Sequence, residues 1–114
     1  MTPDAFRRLA LSFPDTHESS HVGHPDFRVA KKVFATLGYP DPRWGMVKLT
    51  SEQQTRFISE HPEVFSAVKG GWGLRGSTGI KLRPATQKVV QPALSAAWRN
   101  HASSALIKKH PAQL

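Results

Sequence analysis

The chain has no cysteine, which excludes a disulfide framework and any cysteine-ligated zinc, iron–sulfur or redox site. Long apolar runs are missing too: nothing approaches the roughly 18 residues that a membrane-spanning helix needs, and the opening MTPDAFRRLALSF lacks an apolar secretory core. These absences read as a cytoplasmic protein with no membrane partner. Acidic residues are absent from a whole region, since the eight carboxylate side chains end at Glu63. Up to that point eight basic residues balance them, whereas the eight that follow, from Lys69 to Lys109, meet no acid, so the entire net charge of +8 belongs to the C-terminal part. Such a field attracts a polyanion, nucleic acid above all, through phosphate neutralisation and counterion release; the plainer reading is a basic surface that only aids solubility.

At 114 residues the chain is one domain, 1–114, able to bury a core without metal. A first helix opens with Thr2 as N-cap and Pro3 in the first helical position, carries Ala5, Phe6, Leu9, Ala10 and Phe13 at helical spacing, and stops at Pro14-Asp15. Thr50 and Gln53 form a capping box for a second helix that turns Phe57 and Ile58 inward and ends at His61-Pro62. A third spans roughly 88 to 105 with Val90, Leu94, Ala97, Trp98 and Ala102 on one face, its regular part beginning at the awkward Pro92. DFRVA and KVFATL alternate as a hairpin about a turn at Ala30-Lys31, and RWGMVKL and GIKLR add strands. This order predicts an α+β fold, an antiparallel sheet with helices packed on one face, and a frayed tail from about Ser103 ending KKHPAQL.

Two motifs invite catalytic readings and fail on context. HESSH, residues 17 to 21, matches the zinc-hydrolase pattern, which works only on a helix, where His17 and His21 share a face one turn apart. Here it follows a helix stop and runs into Gly23 and Pro25; on a strand the two imidazoles stand about 13 Å apart, too far for one zinc. An exposed edge strand is the reading kept. Gly71-Trp72-Gly73-Leu74-Arg75-Gly76 matches the dinucleotide fingerprint, but a strand-like STGIKL follows it where a helix is required. What remains is a permissive Gly-rich loop able to approach another surface closely. No Gly-x-Ser-x-Gly elbow, Walker triplet or well-spaced carboxylate pair occurs, and His101 reads as a half-buried helical histidine. The expectation is a protein that is not an enzyme and uses no metal or cofactor.

GHPDFRVAKKVFATL, VKLTSEQQ, WGLRGSTGIKL and AAWRNHA, in this order and spacing, resemble the MmcQ/YjbR family of small bacterial proteins over nearly the whole chain. The resemblance implies a frataxin-like (CyaY-like) fold and a DNA-binding role through a "double wing" of hairpins. The chain departs from the family at Ser77, where a Trp is common. It also lacks the acidic ridge by which frataxins bind iron, since Asp4 in the first helix neighbours Arg7 and Arg8. The candidate DNA-binding residues are Arg28, Lys31 and Lys32 on the first hairpin, with Lys69, Trp72, Arg75, Lys81 and Arg83 on the Gly-rich loop and the strand after it. Trp72 is weighed first as a core residue and second as a stacking partner. The expected partner is DNA, bound weakly, salt-sensitively and with little sequence dependence; the alternative is a protein-interaction domain.

Overall fold

The computed structural model describes residues 1–111. A helix, α1 (Pro3–Leu11), leads into four strands in succession, β1 (Thr16–His21), β2 (His24–Val29), β3 (Lys32–Leu37) and β4 (Trp44–Lys48). Then follow α2 (Ser51–Glu60), the short β5 (Phe65–Ala67), a single helical turn α3 (Gly71–Leu74), β6 (Ser77–Lys81), α4 (Gln87–His101) and α5 (Ser104–Lys109). All six strands form one antiparallel sheet in the order β1-β2-β3-β4-β6-β5.

Local chemistry accounts for the element ends. The Thr2 hydroxyl accepts from the Ala5 amide at 3.0 Å and starts α1. Thr50 and Gln53 close a reciprocal capping box over α2, with bonds of 3.2 and 2.9 Å. Ala30 and Lys31 both adopt positive φ, 51° and 66°, the tight hairpin turn expected between β2 and β3. Val22 and Gly23 do the same between β1 and β2, at 51° and 77°.

The sheet has one covered and one open face. Strand β4 shows the division: Gly45 and Val47 are buried toward the helices, while Trp44, Met46 and Lys48 alternate onto the other side. On the covered side, Phe6 of α1 and Val90, Leu94 and Trp98 of α4 join Phe27, Val29, Val47 and Ile80 in one core. Burying a large apolar side chain there contributes about 1.5–3 kcal/mol each. Trp98 spends its one polar atom well: its Nε1 donates to the Pro14 carbonyl at 3.0 Å while its ring stacks on Phe13.

Several expectations need correction. The tail from Ser103 is not frayed, because the Ser103 hydroxyl caps α5 by accepting from Leu106 N at 3.1 Å, and Leu106 and Ile107 rest against the core. The remaining residues, 112–114, lie outside the described range. Helix α4 begins at Gln87, ahead of Pro92, and ends at His101. A proline inside a helix costs about 3 kcal/mol; the Thr86 cap and the burial of Val90, Ala93 and Leu94 on both sides of Pro92 offset it. The strand read at GIKLR runs instead from Ser77 to Lys81, and β5 and α3 carry no clear periodicity in the sequence.

Candidate functional site on the open sheet face

HESSH is a strand. Thr16–His21 forms the exposed outer edge of the sheet, so the helical geometry of a zinc hydrolase does not arise at His17 and His21. His21 has a different partner. Its Nδ1 lies 3.0 Å from Oδ2 of Asp26, a fully buried carboxylate on the open face of β2. Arg28, two residues along the same face, donates Nε to Oδ1 at 2.8 Å and Nη2 to Oδ2 at 3.0 Å. The forked Arg28 pair holds the Asp26 carboxyl below its ordinary range against the opposing effect of burial, and His21 adds to the lowering. Asp26 in turn raises Arg28.

Above this buried pair lies a groove of about 520 Å³. Val33, Thr36 and Met46 form its middle, Arg28 contributes a cation, and His21, His24 and Tyr39 stand at one end. Val68, Lys48, Ser77 and Trp72 stand at the other. No carboxylate lines it. Ser77, the point of departure from the family pattern, is a nearly buried serine that lines the groove with Trp72.

Trp72 is not a core residue: it is 61% exposed. Gly73 explains this orientation. A Cβ at Gly73 would lie 1.7 Å from the Val68 carbonyl oxygen, so this position packs backbone on backbone and its neighbours Trp72 and Leu74 turn outward. A Cβ at Gly76, which holds φ 110°, would likewise lie 1.9 Å from the Leu49 carbonyl oxygen. Two of the three glycines of the apparent dinucleotide fingerprint, Gly73 and Gly76, therefore serve close approach within the chain. Gln54 of α2 fixes the loop from behind, donating Nε2 to the carbonyls of Gly73 at 3.1 Å and Ser77 at 3.0 Å. The Trp72 ring has Lys48 Nζ at 5.7 Å and Arg75 Cζ at 5.6 Å from its centroid.

The register shows which of the sequence-predicted residues come together. Lys48 at the end of β4 pairs with Ser77 at the start of β6, so the β2–β3 turn and the β5–β6 connection leave the sheet at the same end. Lys31, Lys32, Lys69, Trp72 and Arg75 thus gather at that end, with Arg28 further in on the open face. Lys81 and Arg83 do not join them. They stand at the far end of β6, in a separate cleft of about 700 Å³ with Trp44, Phe65 and Glu63. Among the described residues Lys31, Lys32, Lys48, Lys69 and Arg75 have no carboxylate partner. Lys48 was not among the expected residues. Its signal was the alternation Trp44, Met46, Lys48, which puts all three on one face of a strand.

His101 is half-buried, its Nδ1 2.7 Å from the Ala97 carbonyl, as a helical histidine should be. Beside it Asn100 Nδ2 donates to the Lys48 carbonyl at 3.3 Å and to Gln53 Oε1 at 2.7 Å, joining α4 to the end of β4.

The fold and groove define an α+β protein with a single-layer antiparallel sheet, helix-covered on one face and bearing a cation- and aromatic-lined groove on the other. The chain matches the YjbR family over residues 11–104 and belongs to that family. Among solved structures, it is similar to a Deinococcus radiodurans protein carrying the domain DUF419: TM-score 0.71 and 15% identity, covering 95% of this chain and 86% of that one. At that identity the likeness bears on the fold alone. No curated protein matches the chain. Among the described residues no helix is long and apolar enough to cross a membrane.

Proposed function

We propose that this protein is a DNA-binding module of frataxin-like (CyaY-like) fold that grips phosphates at the end of the sheet carrying the β2–β3 turn and the β5–β6 connection, with no catalytic step and no cofactor. The observation that carries the reading is Trp72, held out of the core by the Gly73 packing, flanked by Lys48 and Arg75, and bordering a groove without a carboxylate. An exposed indole between cations offers a stacking plane beside phosphate-binding charge. Lys31, Lys32 and Lys69 at the same end extend the cationic surface in the manner of two wings. Contacts of this kind position a backbone without reading base sequence, so binding is weak, salt-dependent and largely indifferent to sequence.

Titration of labelled DNA at about 50 mM and about 200 mM salt tests this. Affinity should fall at least ten-fold between the two. Undetectable binding at the lower salt, or an affinity that ignores salt, contradicts it. Leu74, 82% exposed next to Trp72, favours a second reading in which the same loop docks on a protein. A partner retained after nuclease treatment and lost in Leu74→Ser would support that reading.

A further inference from the structure

We infer that the groove on the open sheet face receives unpaired nucleobases, so that the strand this protein grips is single rather than duplex. The inference rests on the DNA-binding reading above and adds the form of the nucleic acid. Phosphate binding needs only cations on a convex surface, yet here the cations border a concavity with aromatic rings at both ends. Trp72 stands at one end; Tyr39, 53% exposed with the His24 ring set edge-on against it, stands at the other. The length of β4 between them is about 13 Å at the usual strand rise.

The lining between the two ends is matched to a base. Val33 and Met46 present apolar surface to a base face, while the Thr36 hydroxyl can meet a base edge. Arg28 keeps Nη1 as a donor after Asp26 has taken Nε and Nη2. With Asp26 neutralised beneath it and no other carboxylate on the lining, nothing in the groove repels a phosphate. In a duplex the base faces are stacked on one another and cannot reach such a surface, whereas an unpaired strand can splay its bases onto a sheet. The charge is thus complementary to any nucleic acid, but the concavity and its rings only to an unpaired one.

Fluorescence anisotropy with a labelled ten-nucleotide thymidine strand and a duplex of the same length, at one low salt concentration, tests the inference on the full chain. The single strand should bind at least ten-fold more tightly. Trp72→Ala should weaken single-strand binding by about ten-fold, and Trp72→Phe should restore most of the loss; circular dichroism checks that each variant is folded. Thymidine monophosphate should compete, but far less well than the strand. Equal competition by the free nucleotide overturns the strand as occupant. A duplex bound as tightly as the strand, or a Trp72→Ala variant with full single-strand affinity, overturns the base-binding groove while leaving phosphate binding intact. Failure of both nucleic acids to bind overturns the DNA reading with it.

Discussion

The groove over the open face and the cleft beside β5 are built from similar parts. Each holds a tryptophan and two cations, Trp72 with Arg28 and Lys48 in one and Trp44 with Lys81 and Arg83 in the other, and the cleft is the larger, about 700 against about 520 Å³. They differ in one carboxylate and in the freedom of the ring. Glu63 lines the cleft, and Trp44 lies over Gly79 with its ring 3.3 Å from where a Cβ would stand. In the groove the only carboxylate is sealed beneath Arg28, and the indole is exposed. The comparison teaches that neither size nor number of cations separates the two depressions; what separates them is where the acids have been put and how freely the ring stands.

The largest expected effect tests this contrast directly. Reversing Lys48 and Arg75 together to Glu should lower DNA affinity by about a hundred-fold and flatten its salt dependence, because two cations are lost and two repulsive charges gained beside the backbone. The same reversal of Lys81 and Arg83 should cost less than about three-fold, since those residues act only through the long-range field, screened over about 10 Å. Equal losses in anisotropy titrations of the two double variants would erase the distinction between groove and cleft.

Next comes the scaffold of the groove. Gly73→Ala should destabilise the protein by about 2 kcal/mol or more in urea denaturation, because the added methyl would overlap the Val68 carbonyl and the α3 turn must move. Gly70→Ala, three residues earlier, meets no atom within 4 Å but must hold φ 78° and ψ −157°, a region that only glycine enters readily; its cost should be about 1–3 kcal/mol, from the backbone alone. If the groove depends on that turn, Gly73→Ala also loses DNA affinity and Gly70→Ala keeps it. A stable Gly73→Ala protein would mean that Trp72 is not held outward by this packing.

These contrasts also mark what the sequence disclosed. The caps at Thr2 and Thr50, the Ala30-Lys31 turn and the inward faces of the helices were legible because each depends on neighbours within four residues, as was the strand character of HESSH once Pro14 and Gly23 bracketed it. Family membership was legible from four ordered stretches. The groove was not, since it joins Arg28, Lys48 and Trp72 from three parts of the chain through the insertion of β6 between β4 and β5. Trp72 was misjudged for a related reason: whether an indole in a Gly-rich turn faces in or out depends on the contact of Gly73 with Val68, which no periodicity reports. Lys81 and Arg83 were grouped with Arg75 by nearness in sequence, but β6 carries them to the opposite end of the sheet.

The buried pair beneath the groove should show a smaller effect with a pH signature. Arg28→Met leaves the Asp26 carboxylate buried with His21 as its remaining partner, and should cost about 1–2 kcal/mol at neutral pH, reduced from the figure for a fully buried pair because Arg28 is partly exposed. Since the folded-state pKa of Asp26 is depressed, its contribution is fully present above the unfolded value, 3.8, and is lost as pH falls from there through the lower folded value. In Arg28→Met the largest part of that contribution is already gone, so the stabilities of the two proteins should converge as pH drops below about 4. A gap that stays constant from pH 7 to pH 3 in urea melts would show that Arg28 acts through packing and not through the charge on Asp26.

The smallest effect concerns the β1–β2 turn, away from Trp72, and separates stability from binding. Val22 holds φ 51° with its side chain 88% exposed, so a β-branched residue sits in the left-handed region and has almost no packing to lose. Gly23 follows at φ 77°, and two positive φ values in succession are the geometry that Asn-Gly adopts most readily. Val22→Asn should therefore raise stability by about 0.5–1 kcal/mol, a few degrees in a thermal melt. DNA affinity should be unchanged if binding is governed by the Trp72 end of the groove. A variant that is more stable yet binds less well would extend the site toward His21 and His24, at the end where this turn joins the groove. A variant that is no more stable would mean that the left-handed conformation at Val22 costs the chain less than a β-branched residue there implies.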